Sequence, residues 1–532
     1  MPSLSSISAA FLVACQVVLA DVPTWPTPSI DELEDIRFLM NGYNARGFSD
    51  FVSPCSFSSG NIGRITAAEW IRAAYHDMST ADVAAGTGGL DASIQYETDR
   101  SENIGTAMND TMTAFLGYYT VRSSIADLLA LGVYTSVVSC GGPKIPFRVG
   151  RIDAKEAGPS GVPEPTDNIT VLTNKFAKQG FNTSEMIALV ACGHTVGGVH
   201  GVDFPTIVPG SGTAGNNYSH FDNTTHFDND VVIDYMSDNT SNPLVVGPDV
   251  GKNSDLAVFN ADGNKTMNRL TDATTFQDTC LTMLERMINT VPSTVKLTDP
   301  LTPYPIKPAN LVLKLSDNGA NLTFSGQIRV LVTNRDSTKI ESLSLHYLAR
   351  DGVTPGVINA TAALYQSGFA GAFGDSFQFY EFETVLDASS SVSSFNVSIA
   401  LKDGTVEEHN NNGGGFPVQS SILLQSSRTC YIANSTGSYF KLVAAVHDSR
   451  KALPATVVTY VQNPRIGTKI PSLDAVNTSL AFVNSTGAYD FFSATVSLGV
   501  DQVYLAYCDL VSGEGDAAES DLFHNMGNIK AC

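Results

Sequence analysis

Around residues 290–310 the spacing of apolar residues changes period, so no single-layer architecture can accommodate the whole chain. Upstream, stretches such as DELEDIRFLMNGY, TAAEWIRAAYHDM, SSIADLLALGVYTSVV and SEMIALVACGHTV repeat their apolar residues every three to four positions, the pattern of one helical face. Downstream, LTFSGQIRVLVT, ESLSLHYLA, FQFYEFETVL, FNVSIALKDG and TVVTYVQ alternate with period two, as half-buried strands do. TVPSTVKLTDPLTPYPIKPAN lies between them with five prolines and reads as a stiff linker. A chain of 532 residues is expected to form two or three domains. The expectation is a multidomain protein: a mainly α-helical body at 21–290, a linker at 291–310, and an all-β, sandwich-like region at 311–532.

Residues 1–20, MPSLSSISAAFLVACQVVLA, are too short to span a bilayer and end in a small residue, as a secretory signal does, although no Lys or Arg follows Met1. About thirteen Asn-x-Ser/Thr sequons, among them Asn168, Asn217, Asn321 and Asn434, agree with secretion. No later segment reads as transmembrane. A net charge of −22 argues against nucleic acid and anionic lipid as partners, since both require basic surface. Removing Cys15 with the leader leaves seven cysteines, so at least one stays unpaired. Cys192 and Cys280, in apolar helical settings, are the candidates for buried free thiols.

Within EWIRAAYHDM, Arg72 and His76 are four residues apart and share one helical face, amid Ile71, Ala73, Ala74 and Tyr75. Most such pairs lie on solvated faces; here the apolar setting calls for a partner. EMIALVACGHTVGG supplies a second histidine, His194, after an apolar helical run. A single histidine of this kind is usually a satisfied core residue. Asp255 in KNSDLAVF, 61 positions further on, could accept its other ring N–H, the arrangement that orients a metal-bound imidazole.

Eight motifs, RAAYHD, GGLDASI, ETDRSENIG, VGRID, VPEP, CGHTVG, FDN and NSD, occur in an order that resembles the plant, fungal and bacterial haem peroxidase superfamily, most closely the secreted fungal class II enzymes. The resemblance covers roughly residues 50–290. It implies a haem peroxidase fold, haem b and two calcium ions as cofactors, and hydrogen peroxide as oxidant. It makes His194 the axial iron ligand with Asp255 behind it, His76 the distal acid and base, Arg72 the group stabilising charge on the departing oxygen, and Asn103 the acceptor of the His76 N–H. Asp77, Gly89, Asp91 and Ser93 match the distal calcium site. Thr195, Asp222, Thr224 and Asp228 match the proximal one, with Thr225 as close as Thr224. The resemblance also pairs Cys55 with Cys140, while the partners of Cys430, Cys508 and Cys532 stay open.

Several positions depart from the pattern. Glu69 matches one manganese-binding carboxylate, but Ile65 and His200 replace the other two. Leu189 stands where lignin peroxidase has a surface tryptophan, and the chain has only Trp25 and Trp70. Tyr75 replaces the usual phenylalanine beside the distal histidine. These residues point to an extracellular peroxidase oxidising small phenolic or other aromatic donors at the haem edge. The competing reading is a secreted haem-binding or adhesive glycoprotein with the peroxidase module as scaffold; retention of the distal pair favours the enzyme. The β-rich region could contact glycan or cell wall.

Overall fold

The computed structural model describes residues 24–58, 63–434, 437–498 and 505–532. The apolar leader at 1–20, including Cys15, and the side chain of Asn434 lie outside the described residues. Among the described residues the first half contains eleven α-helices: α1 (Asp31–Phe38), α2 (Thr66–Met78), α3 (Ala107–Phe115), α4 (Ile125–Ser139), α5 (Ile169–Lys178), α6 (Thr183–Gly193), α7 (Asp230–Met236), α8 (Pro243–Val246), α9 (Ser254–Phe259), α10 (Lys265–Leu270) and α11 (Ala273–Asn289). None is long and apolar enough to cross a membrane.

The sequence IADLLALGVYTSVVS is apolar around nearly its whole circumference, so α4 is the buried central helix. Ser124 caps it by accepting the Asp127 N–H. A Cβ at Gly132 would lie 2.9 Å from Phe115 and 3.4 Å from Trp70, so glycine lets α2 and α3 close on α4. α6 begins with a capping box, Asn182 and Glu185, and ends at His194, which occupies its C-cap.

Cys55 and Cys140 form a disulfide. The reading of Cys192 and Cys280 as free thiols is wrong: they are bonded to each other and join α6 to α11. Their apolar surroundings are the interface between those two helices, where each sulfur meets the other. Cys430 pairs with Cys532 near the chain end, and among the described residues the unpaired thiol is the buried Cys508.

The named strands of the second half all pair antiparallel. A ten-stranded sheet has the long strands Asn321–Leu331 and Asp375–Asp387 paired along their length. Beyond it, a five-stranded sheet containing Gly437–His447 and Tyr489–Leu498 faces a four-stranded sheet containing Ala455–Asn463 and Tyr507–Ser512. Phe440, Leu442 and Phe492 from one and Val457, Val461 and Leu510 from the other form their common core, which is a sandwich.

Helical and β-rich halves are packed together. Asn41–Gly42 pairs with Phe369–Ala372 as an edge of the ten-stranded sheet. Gly42 is required there, because at φ 88° a Cβ would sit 2.3 Å from the Phe369 carbonyl. The first long strand begins at Ile306, inside the proline-rich stretch, and residues before it lie against the helices: Leu301 N–H donates to Phe147 O at 2.7 Å and Tyr304 is buried in the helical core. Lys307 Nζ lies 2.8 Å from both Glu34 Oε2 and Asp35 Oδ1. Arg329 also contacts Glu34 and reaches Asp35 Oδ1 at 3.0 Å, completing a buried ionic cluster between α1 and the sheet. Ile470, from the β-rich region, is fully buried in the helical core.

Candidate active site

α2 presents Arg72 and His76 to a cavity of about 550 Å³ that His194 also lines, with Leu189, Phe221 and Leu244 among its apolar lining. His76 Nδ1 is 2.7 Å from Asn103 Oδ1, and Asn103 Nδ2 donates to the Glu97 carbonyl at 2.9 Å. Because Nδ2 is committed to a carbonyl, Oδ1 is the acceptor, so Nδ1 of His76 carries the proton and Nε2 the free lone pair. Burial, reinforced by Arg72, pushes the His76 imidazole down to about 3. Both terminal nitrogens of Arg72 donate to Ile104 O at 3.2 Å. Burial lowers its guanidinium to about 10 against the pull of Asp203 and Glu69.

His194 Nδ1 is 2.8 Å from Asp255 Oδ2, at the start of α9. Asn242 Nδ2 donates to the same carboxylate oxygen at 2.8 Å, while its Oδ1 accepts from Leu244 N–H at the start of α8. One buried amide thus caps a helix and fixes the aspartate. The His194 ring lies flat on Phe221, with centroids 4.2 Å apart and an interplanar angle of 11°. With Nδ1 engaged, Nε2 is the atom left to coordinate a metal.

Asp77 has no exposed surface and accepts the backbone N–H groups of Asp91, Ala92 and Ile94 at 2.8–2.9 Å. Burial first, and Asp91 second, push its carboxyl well above the usual range. Ser93 Oγ is 3.5 Å from Asp77 Oδ1, and Gly89 lies in the adjoining loop against Thr290. In the other cluster Thr224 Oγ1 bridges Asp222 Oδ1 at 3.3 Å and Asp228 Oδ2 at 3.1 Å, while Thr195 Oγ1 accepts from the Asp228 N–H at 3.2 Å. Asp222 Oδ2 is buried without a hydrogen-bond partner, and burial pushes this carboxyl up to about 7. An orphaned anionic oxygen amid hydroxyls is the donor chemistry a hard cation requires. Among the described residues no group of three or more His, Cys, Asp or Glu side chains is arranged around a metal position. Each cluster brings two carboxylates, and any remaining ligands would be hydroxyls and carbonyls.

The peroxidase family pattern matches residues 58–284. The chain contains a peroxidase domain. Its helical half is a peroxidase domain of the plant, fungal and bacterial superfamily, and haem is the cofactor that membership implies. A WSC domain-containing protein of Arthroderma benhamiae is 40% identical over 534 aligned residues, covering 99% of this chain and 70% of that protein, so the similarity includes the β-rich half. A putative L-ascorbate peroxidase 6 of Arabidopsis thaliana is 34% identical over 145 residues, 26% of this chain and 44% of its own. The mitochondrial cytochrome c peroxidase of Yarrowia lipolytica is 41% identical over 80 residues, 14% and 23% respectively. The chain thus spans less than half of the length of these last two.

Also lining this cavity, Glu69 is buried with Arg64 Nη1 at 3.8 Å, and Arg64 Nη2 binds Asp203 Oδ2 at 2.7 Å. Burial pushes Glu69 up to about 7, against the opposing charge of Arg64. His200 Nδ1 donates to Ala214 O at 2.9 Å and the ring stacks on Tyr218, and Ile65 is buried. Leu189 is not a surface position: it is buried in the cavity wall. Trp70 is packed among Phe48, Phe51 and Phe115, and Trp25 lies beside Phe416. Tyr75 stacks on Phe176, its hydroxyl 3.4 Å from Gln179 Oε1.

Sequence reasoning missed Asn242, Phe221 and the Arg64–Asp203 pair. Asn242 precedes a proline and is legible as a helix cap, but nothing local signals its second bond. Phe221 belongs to the FDN motif, in which the resemblance assigns a role to the aspartate alone.

Proposed function

We propose that this protein is a secreted haem peroxidase that reduces hydrogen peroxide to water and oxidises small phenolic or other aromatic donors at the haem edge. The observation that carries the reading is the pair of histidines lining one cavity, each with its Nδ1 held by a buried side chain. His194 would hold the iron through Nε2, with Asp255 accepting the Nδ1 proton and Asn242 steadying that carboxylate. The bound haem supplies the redox centre that accepts the two oxidising equivalents of peroxide.

His76 Nε2 takes the proton from one peroxide oxygen and delivers it to the other, which leaves as water. A neutral imidazole is required for the first transfer, and the low proton affinity of His76 keeps it neutral at ordinary pH. Arg72 stabilises negative charge on the departing oxygen. Two donor molecules each return one electron, and with two protons the second oxygen also leaves as water. A scaffold or adhesive protein would have no use for the Asn103–His76 hydrogen bond.

Calcium at the two acidic clusters would neutralise Asp77, Asp91, Asp222 and Asp228 beside the backbone of His76 and His194. The three disulfides and the leader-like residues 1–20 support an oxidising, extracellular destination. Manganese is not the donor in this reading, because Arg64 shares the neighbourhood of Glu69 and Ile65 and His200 contribute no carboxylate. The β-rich half is a candidate for glycan or wall contact.

The absorption spectrum of purified protein, before and after one equivalent of peroxide, is the decisive test. Wild type should hold one haem per chain and respond to peroxide, and His194→Ala should lose retention or turnover. Normal haem content and turnover in His194→Ala would overturn the assignment, and saturable oxidation of manganese(II) at low concentration would overturn the donor class.

A further inference from the structure

Among the described residues, the sandwich in the β-rich half has two outer edges without a strand partner, and these adjoin each other. Ser472–Ser479 is the outer strand of the four-stranded sheet and Ala481–Ser485 the outer strand of the five-stranded sheet, with only Leu480 between them. An unpaired strand edge offers a row of free backbone donors and acceptors to any other chain, and proteins usually protect it with lysine, proline or charge. Neither strand contains lysine, arginine or proline; the sequences SLDAVNTS and AFVNS carry one charged residue, Asp474. Val476, Phe482 and Val483 are exposed along them. This combination of β-branched and aromatic residues with little charge favours pairing between chains.

Each of the two strands also carries an N-glycosylation sequon, Asn477-Thr-Ser and Asn484-Ser-Thr. Both asparagines are exposed. Asn477 is opposite Val458, on the sheet face away from the common core, whereas Thr478 is opposite the buried Val457. Asn484 is opposite Phe491, which faces out of the sandwich core into the neighbouring hydrophobic cluster. The acceptors therefore flank the open side of the sandwich from its two outer faces.

We propose that Asn477 and Asn484 carry N-linked glycans that shield this double edge, doing with bulky hydrophilic chains what charge does elsewhere. The inference rests on the secretory reading above. Glycan attachment through the asparagine amide leaves the ladder bonds to Ala455–Asn463 and Tyr489–Leu498 intact, while its volume blocks a second chain from docking along the edge.

The test uses the full chain from a eukaryotic secretory host, with site occupancy mapped by mass spectrometry after N-glycosidase treatment. Asn477 and Asn484 should both be occupied. The Asn477→Gln/Asn484→Gln variant should shift to higher mass in sedimentation at a concentration where wild type does not, with thermal melting unchanged. Adding Val483→Lys to that variant should reverse the shift, and the exposed-sequon control Asn321→Gln should leave the mass distribution unaltered. Occupancy at Asn321 with bare Asn477 and Asn484 would overturn this proposal while leaving secretion intact. Absence of glycan at every sequon would overturn the secretory reading and this proposal with it. Occupied sites whose removal does not change the mass distribution would overturn the shielding role.

Discussion

Arg465, from the β-rich half, donates from Nη2 to Gln95 Oε1 of the peroxidase domain at 2.8 Å, and its guanidinium also contacts the Tyr96 hydroxyl. Arg465 Nε is held by Ile470 O at 3.1 Å, and Ile470 is itself buried in the helical core. Gln95 and Tyr96 immediately precede Glu97, whose carbonyl receives the Asn103 amide that orients His76. Hydrogen bonds joined by the backbone of residues 95–97 thus link the β-rich half to His76.

Arg465→Ala should therefore slow the reaction with peroxide by about ten- to a hundredfold through misorientation of His76, with haem still bound. Arg465→Lys, able to reach one partner but not both, should recover part of the rate. Hydrogen exchange over residues 93–103 should quicken in the alanine variant, with or without haem. Unchanged exchange and rate would sever the β-rich half from the distal site.

His76→Leu should slow peroxide reduction by about 10²- to 10⁴-fold, the usual contribution of a general acid–base group, without loss of haem. Asn103→Leu should fall between this variant and wild type, because the imidazole remains but its tautomer and orientation are no longer set. Stopped-flow kinetics distinguishes the three, and a wild-type rate in His76→Leu would eliminate the proton shuttle.

Excess chelator should lower both melting temperature and turnover. A cation present at a hundred times its dissociation constant contributes about 2.7 kcal/mol to stability. Its loss leaves Asp77 facing Asp91 and Asp222 facing Asp228 with no compensating charge. Restoring calcium should restore both readouts. An unchanged melting curve in protein shown by metal analysis to be calcium-free would count against the two sites.

Glu34→Gln should cost about 3 kcal/mol of stability at neutral pH by removing the anion that Arg329 and Lys307 share. Burial alone would raise Glu34, but those two cations prevail and hold it at about 2, below its ordinary 4.5. The sign follows: the contribution is fully present above about 4.5 and is lost as pH falls through about 2. Asp31 and Asp35 are raised by burial and run in the opposite direction, so the measurement must be the difference between wild type and variant. Chemical unfolding across pH 2–7 should show that difference shrinking at the acid end.

The sequence carried the two architectures and the candidate residues of the site, because both are written in local patterns. Apolar period separates helix from strand, and Arg72–His76 and CGHTVG each lie within one element and its cap. What it could not give were encounters between distant segments. Cys192 and Cys280 read as isolated apolar thiols because neither stretch reveals that α6 and α11 lie side by side, and Leu189 read as a surface position because burial depends on what packs over a helix. The proline-rich stretch read as a spacer, yet Tyr304 and Lys307 are drawn against α1, since a buried anion such as Glu34 requires cations that only the adjacent sheet supplies. The closeness of Arg465 to Gln95, 370 positions apart, is likewise a product of tertiary packing. Local pattern fixes which face of an element is apolar or reactive; only the assembled fold decides which other face it meets.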